Sequence, residues 1–454
     1  MPRDAQDVFL KIYRDLLMPS PSLRAREFTR LGYTYGDVFK LAAGIRKNLG
    51  GGASPKNICL CSTNKAVVAA CVLASLAGSC RIILPYAFSA HALEEMRETV
   101  DFDAAIADHP EEMHPGVDVF TPLPADEGDL HSGALKNPDE PFLYLFTGGS
   151  TGRPKIWSKT PRNLLAEAFY LKEKFSISER DLFVATVAPY HIYGLLFSVL
   201  VPLVGGACVM PDIYTFPQEI IATVNKHNAT VLVSIPIHYR VLKVDNLSVP
   251  SLRLAFSSAG SLDPNDSLFF YEKTGLGITE IYGSTETGGV ATRNISEKTE
   301  AWKPFDVVQW KLSGGRLAVK SDFVSREMKK DDDGFYLTGD EAHAEGDNRF
   351  LLLGRADGIV KIAGKRVDLT DIQNKIKKLP TVNDAAVFSL PTDKGRESII
   401  AAVVACDLTE THLRKLVTDL LEPYAVPRVL KIVSQIPRTA AGKIDRRWLE
   451  ALFQ

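Results

Sequence analysis

The feature that most constrains this chain is an alternation of short, continuous apolar runs with helical segments. Ile58-Cys59-Leu60-Cys61 is followed by a helix-like stretch over Ala66–Ala77 and then by Arg81-Ile82-Ile83-Leu84. The pattern returns with Phe183–Val187, Ile192–Leu203, Ala207–Met210, Gln218–His227 and Thr230–Ser234. A strand that is apolar at every position has both faces covered. Helices between such strands supply the crossovers, so the pattern reads as parallel sheets covered by helices. Ahead of it, Thr34 to Leu49 reads as a helix. Val38, Leu41, Ala42, Ile45 and Leu49 recur at helical spacing, Thr34 and Asp37 resemble a capping pair, and Gly50-Gly51 ends it.

From about residue 305 the texture changes. Val307–Leu312, Gly315–Lys320 and Phe350–Leu353 are short strands broken by Gly, Asp and Asn, which suits an antiparallel, barrel-like subdomain. After Gly354, two strand-like runs (Ala385–Ser389 and Ile399–Ala405) and helices near 370–378 and 410–421 read as a small α+β unit. The expected architecture is a large α/β N-terminal domain over 1–354, its parallel sheets joined by the barrel-like subdomain, and a small α+β C-terminal domain over 355–454. From Arg355 onward Lys and Arg (17) outnumber Asp and Glu (12), yet the whole chain carries −2, so no overall basic field draws it to nucleic acid. The longest apolar stretches, Ala66–Gly78 and Leu195–Gly205, fall short of the ~20 residues that span a bilayer. The charged opening residues lack the apolar core of a leader. A cytoplasmic protein without a membrane span is expected. The six cysteines (59, 61, 71, 80, 208 and 406) sit almost entirely in apolar runs and read as small buried hydrophobes, with neither disulfide nor zinc spacing.

The chemistry is concentrated in a few segments. Phe142 to Phe146 is a buried-strand run that empties into Thr147-Gly148-Gly149-Ser150-Thr151-Gly152-Arg153-Pro154-Lys155. Glycines let backbone N–H groups converge on an anion, hydroxyls add donors and lysine adds charge, which is phosphate-binding chemistry. No Gly-Lys-Ser/Thr closes the loop as in a Walker motif, and the dinucleotide spacing of glycines is missing. Alone, it competes with a plain Gly/Ser/Thr turn. Four more segments follow in order: Tyr282-Gly283-Ser284-Thr285-Glu286, Tyr336-Leu337-Thr338-Gly339-Asp340, Gly354-Arg355 through Gly364, and Pro437 through Arg446 with Gly442-Lys443 inside it.

These five segments, in this order, resemble the adenylate-forming superfamily: acyl- and aryl-CoA synthetases, luciferases and peptide-synthetase adenylation domains. The resemblance runs from about 142 to the end, and the helix after Tyr33 resembles the family's opening helix. It implies an ATP-dependent acid–thiol ligase that forms an acyl-adenylate, expels pyrophosphate and passes the acyl group to a thiol. Thr147, Gly148, Gly149, Ser150, Thr151, Gly152 and Lys155 would wrap the β- and γ-phosphates; position 148 departs from the family's usual serine. Thr285 would touch the α-phosphate and Glu286 would hold Mg²⁺, a cation content with one carboxylate plus phosphate oxygens and water. Tyr282, followed by Gly283 and Ser284, would stack on adenine, opposite the backbone of Ser258-Ala259-Gly260. Asp340 and Arg355 would reach the ribose. Lys443 would be catalytic, offsetting charge where carboxylate meets phosphate. Asp357 would be the hinge of a mobile C-terminal domain, and Gly364 would enter a pantetheine tunnel.

Ala188-Pro189-Tyr190-His191-Ile192-Tyr193-Gly194 resembles the family's His-containing loop before the helix that walls the acyl pocket. A lone histidine on an apolar segment is commonly a core residue; the motif raises it to a catalytic and pocket candidate. The resemblance implies a carboxylic acid without an α-ammonium, since His191 and Tyr193 stand where amino-acid-activating members usually carry aspartate. Tyr193 falls where the family's aryl-CoA ligases carry a pocket tyrosine, so the resemblance implies an aromatic acid ahead of a medium or short fatty acid. Eleven residues follow Lys443, so the thiol is expected from outside, as coenzyme A or as the phosphopantetheine of a separate acyl carrier protein. An acyl-AMP ligase that loads only the carrier is the alternative. A catalytically dead scaffold is disfavoured by intact Lys443, Glu286 and Asp340.

Overall fold

The continuous apolar runs become parallel strands of two mixed sheets. The computed structural model describes residues 3–49, 56–102, 104–113, 117–126, 130, 136–147, 155–260, 262–297, 299–355, 358–362, 365–379, 381–390, 399–437, 448 and 452. The chain forms two compact units: among the described residues, 3–147, 155–338 and 343–352 make the first, and 339–342 with the residues from 353 onward make the second.

In the first unit, β1 (Lys56–Cys61), β2 (Cys80–Leu84), β3 (Ala104–Ala107), β4 (Asp118–Val119), β5 (Leu143–Thr147) and β6 (Lys155–Lys159) form a sheet of order β4-β3-β1-β2-β5-β6. All its pairs are parallel except β5 with β6. A second sheet is built from β7 (Leu182–Ala185), β8 (Cys208–Val209), β9 (Val231–Ser234), β10 (Leu254–Ser257), β11 (Ile278–Ser284), β12 (Gly288–Asn294) and β13 (Lys303–Pro304), in the order β13-β12-β11-β10-β9-β7-β8. Here β8 to β11 and β7 are parallel, and β12 and β13 close the edge antiparallel. The antiparallel strands β6 and β12 were not legible from apolar runs, because both are half polar: β6 is the edge of its sheet, and β12 lies between β11 and the edge strand β13.

The Thr34–Asp37 pair caps the helix Tyr35–Leu49 as its spacing predicts: Asp37 accepts from the Thr34 N–H at 2.9 Å and the Thr34 hydroxyl at 2.7 Å. The run read as one helix from Ile192 is three segments, with a π-helical stretch Leu196–Leu200 between α-turns. Pro202 lacks the N–H that would bond four residues back, and the preceding turn widens. Lys65, fully buried at the start of the helix Lys65–Leu76, donates to the carbonyls of Met210, Pro211 and Asp212 at 2.9, 2.9 and 2.8 Å. Its ammonium thus ties the connection after β1 to the connection after β8, and burial pulls its pKa down to about 7.

The strands after residue 305 are β14 (Gln309–Ser313), β15 (Arg316–Lys320), β16 (Tyr336–Glu345) and β17 (Arg349–Arg355), neighbours in that order. The β14–β15 turn, Gly314-Gly315, takes φ of +58° and +76°, a twist suited to a two-residue hairpin and cheap only for glycine. In the second unit β18 (Ile359–Ile362) and β19 (Lys365–Asp368) pair as a hairpin. A three-stranded sheet follows from β20 (Val382–Leu390), β21 (Ile399–Cys406) and β22 (Val429–Val433). Helices Leu369–Lys377 and Glu410–Leu420 place Ile372, Ile376, Leu413 and Val417 against Ile400, Ala402 and Val404. All six cysteines are free, and all but Cys208 are buried. Among the described residues, no helix is long and apolar enough to cross a membrane.

Candidate functional site

The C-terminal ends of parallel strands are where ligands meet an open α/β sheet, and the motif residues of the first unit gather at such ends. At the end of β5, Thr147 stands directly across from Lys155, the first residue of β6. The two ends of the Gly/Ser/Thr loop are therefore clamped together. Trp157 fixes the Thr147 hydroxyl by donating its indole N–H at 3.1 Å. Gly148, Gly149, Ser150, Thr151 and Gly152 lie outside the described residues, as do Asp357, Gly364 and Lys443.

The second element is the tight connection between β11 and β12. Ser284 and Thr287 tie it reciprocally: the Ser284 N–H donates to the Thr287 hydroxyl at 3.0 Å, and the Thr287 N–H donates to the Ser284 hydroxyl at 3.2 Å. Between them Thr285 and Glu286 are nearly buried, at 9% and 7% exposure. The Ser325 N–H donates to the Glu286 carbonyl at 2.8 Å. The ladder slips by one position between Tyr282 and Gly283. At Gly283 the partner strand comes so close that an added Cβ would lie 2.2 Å from the Gly288 carbonyl oxygen. Only glycine fits this approach.

Tyr282 is half-buried, its ring centroid 5.5 Å from Trp302 and 5.9 Å from Phe350. This is an aromatic surface suited to a flat base. The loop after β10 is held to β11 by the Ser258 hydroxyl, which donates to the Ile281 carbonyl at 2.8 Å. Ala259 and Gly260 lie exposed there, and Ala259 adopts a φ of +69°, a conformation costing an L-residue about 1–2 kcal/mol and typical of ligand-facing loops. Asp340 sits half-buried in β16, in the part of that strand that belongs to the second unit, and Arg355 is the last residue of β17.

His191 precedes the helix that begins at Ile192, and its ring lies 4.6 Å from that of Tyr190. The residue reaches solvent, but its protein surroundings desolvate the imidazole and lower its pKa, favouring the neutral form. Tyr193 is buried, 5.1 Å from Phe197. Burial, and then proximity to Tyr239, raise its pKa, so it remains a neutral phenol. Gly194 closes this turn: a Cβ would lie 1.9 Å from the Ala188 carbonyl oxygen.

Two groups of polar residues escaped the sequence reading. The first is a row along the end of the second sheet, where Ser234, Ser257 and Glu280 are cross-strand partners. The Ser234 and Thr186 hydroxyls are 2.9 Å apart, and His238 Nδ1 lies 2.6 Å from the Thr186 hydroxyl. Arg293 donates to both oxygens of Glu280, at 2.8 and 2.9 Å. The second is Lys159 at the end of β6 with Asn163 and Glu167 on the helix Pro161–Lys174, all buried against the 322–324 backbone and β12. Their four-residue spacing is the available signal. Only the strand register and the packed helix show that each group aligns. Among the described residues no cluster of three or more metal-ligating side chains occurs. One buried carboxylate, Glu286, beside the Thr285 hydroxyl is a donor set that fits Mg²⁺ shared with phosphate oxygens and water.

Residues 27–329 match the family described as AMP-binding enzyme, and residues 371–443 match the AMP-binding enzyme C-terminal domain. Curated relatives include a probable CoA ligase of Humulus lupulus, 25% identical over 372 residues (73% of this chain and 70% of that protein). A sulfoacetate–CoA ligase of Cupriavidus necator is 27% identical over 375 residues (73% and 71%). Among solved structures, a double mutant of o-succinylbenzoate CoA synthetase from Bacillus subtilis aligns with a TM-score of 0.75 at 19% identity, covering 97% of this chain and 98% of that one. An amide bond synthetase from Marinactinospora thermotolerans aligns at 0.72 with 19% identity, covering 97% and 99%. At such identities the structural likeness speaks for the fold.

Proposed function

We propose that this chain, which belongs to the AMP-binding enzyme family, activates a carboxylic acid with ATP and transfers the acyl group to coenzyme A. In the first step a carboxylate oxygen attacks the α-phosphorus and pyrophosphate leaves. In the second the thiol sulfur attacks the acyl carbonyl, AMP leaves and the thiol gives up its proton. The observation that carries this reading is the buried Thr285–Glu286 turn, locked by Ser284 and Thr287 beside the Tyr282 ring.

Thr147 and Lys155, opposed at the neck of their loop, fit the outer phosphates together with Gly148, Gly149, Ser150, Thr151 and Gly152. Thr285 would take the α-phosphate, and Glu286 would hold Mg²⁺, which would neutralise phosphate charge. Tyr282 with Gly283 and Ser284 takes the adenine, the Ala259-Gly260 backbone its other face, and Asp340 with Arg355 the ribose. Lys443 serves adenylation. The core runs over 1–354 and the C-terminal domain over 355–454, turning at Asp357 to bring Gly364 to the pantetheine.

For the acid we favour an aromatic ring, supported by the Tyr193–Phe197 pair behind His191. Acid-dependent pyrophosphate release with ATP and Mg²⁺ tests this. Benzoate- or cinnamate-type acids should exceed octanoate. Each methylene in an apolar pocket is worth only ~1–3 kcal/mol, so the margin is roughly tenfold. A preference for chains of eight or more carbons would refute the aromatic choice. Thioester formation with coenzyme A, compared with a phosphopantetheinylated carrier protein, assigns the acceptor.

A further inference from the structure

We infer that Glu167 is a positioning residue for the nucleotide-binding turn, with Lys159 and Asn163 supporting the same turn; the inference rests on the nucleotide reading above. Lys159 ends β6, and Asn163 and Glu167 follow at four-residue intervals on the helix Pro161–Lys174. Positions four apart on a helix share one face. All three side chains are buried, at 0%, 6% and 2% exposure, although none was singled out by a motif.

Each grips a backbone segment that leads to Glu286. The Glu167 carboxylate accepts from the Gly289 N–H at 2.7 Å, directly after the turn. Asn163 donates to the carbonyls of Asp322 at 2.6 Å and Val324 at 3.3 Å, and Lys159 donates to the carbonyl of Phe323 at 3.3 Å. The next residue in that segment, Ser325, donates its N–H to the Glu286 carbonyl at 2.8 Å. The turn carrying Thr285 and Glu286 is thus held at Glu286 and at Gly289, and both grips trace back to one helix face.

The glycines opposite Glu167 fit this role. A Cβ at Gly288 would lie 2.6 Å from one carboxylate oxygen of Glu167, and a Cβ at Gly289 would lie 2.9 Å from the other. The paired glycines therefore form a cradle in which the carboxylate reaches the strand backbone. Burying a lysine and a glutamate adds little stability over apolar residues of the same size, so stability alone does not account for them. A carboxylate does something apolar residues cannot: it makes a strong, directed bond to one fixed amide. In turn it needs a neighbouring positive charge. The buried Lys159 ammonium, bonded to the Phe323 carbonyl, brings positive charge to this region: the Glu167, Glu327 and Glu286 carboxylates oppose the desolvation that pulls its pKa down, while burial pushes that of Glu167 up to about 7. Glu327 is itself fixed by the Ser158 N–H and hydroxyl, both at 2.7 Å.

The test compares the full-length wild type with Glu167→Ala, Glu167→Gln and Lys159→Met. It reads the dissociation constant for ATP with Mg²⁺ by calorimetry and the separate KM values for ATP and acid in pyrophosphate release. Glu167→Ala should weaken ATP at least tenfold, about 1.4 kcal/mol, and leave the KM for acid within twofold. Glu167→Gln keeps an oxygen that accepts from Gly289, so it should recover to within threefold of wild type, and Lys159→Met should fall between. Ala and Gln variants with equal defects, or equal increases in both KM values, would overturn the positioning role. Wild-type ATP affinity in a folded Glu167→Ala would overturn it too. If Glu167→Ala does not fold, the Gln and Met variants decide by the same readings. A wild type that binds no ATP would overturn the nucleotide reading and this inference with it.

Discussion

Replacing Gly283 by alanine should disable the first half-reaction while leaving the chain folded. The added Cβ would lie 2.2 Å from the Gly288 carbonyl oxygen, 2.9 Å from the Gly289 Cα and 3.0 Å from the Gly288 carbonyl carbon. All three are backbone atoms, so no side chain can rotate aside. Strands β11 and β12 must part by about 1 Å, and overpacking of this kind costs roughly 1–3 kcal/mol. β12 has little room to retreat, because Gly288 already faces Glu167 and Phe323, and the Gly289 N–H is bonded to Glu167. The displacement therefore passes into the Thr285–Glu286 turn. A misplacement of about 1 Å at a reacting centre costs on the order of 100-fold in rate. Single-turnover pyrophosphate release, with thermal unfolding on the same preparation, measures both effects. Release within twofold of wild type and an unchanged melting temperature would show that the strand contact is slack and the turn's geometry unimportant.

Two further outcomes are expected. Lys443→Ala should lower adenylation by orders of magnitude and spare thioester formation from supplied acyl-adenylate, because the lysine charge matters only while carboxylate meets phosphate; equal loss in both steps would refute the role. His238 is half-buried and its pKa is lowered by burial, so on acidification the unfolded chain takes the proton first. Its contribution to stability is complete above about 6.5 and is lost as the pH falls through the lower folded value. His238→Gln should therefore lose less melting temperature than wild type between pH 7.5 and 5.5, and parallel declines would refute it.

Much of the fold was legible in local pattern. Apolar runs such as Ile58–Cys61 and Thr230–Ser234 announced buried strands, because a strand apolar on both faces is stable only between two layers. The Thr34–Asp37 spacing announced its cap because the bonds involved are local. Motif order pointed to the family, and the matches over 27–329 and 371–443 bear that out. Thr285 and Glu286 were legible as candidates by the same route.

What the sequence by itself determined is what short-range patterning encodes: the buried strands and their helices, the cap at Thr34–Asp37, and which motif residues are candidates for phosphate chemistry. Strand order was decided only by the tertiary structure, as were the antiparallel strands β6 and β12, the row joining Ser234, Ser257 and Glu280, and the support of the turn by Lys159, Asn163 and Glu167. Glu167 lies 122 positions from the amide it holds. No local window contains both partners. A buried carboxylate is tolerated only where a distant backbone donor and a counter-charge arrive together, and that meeting is a property of packing rather than of any segment read alone.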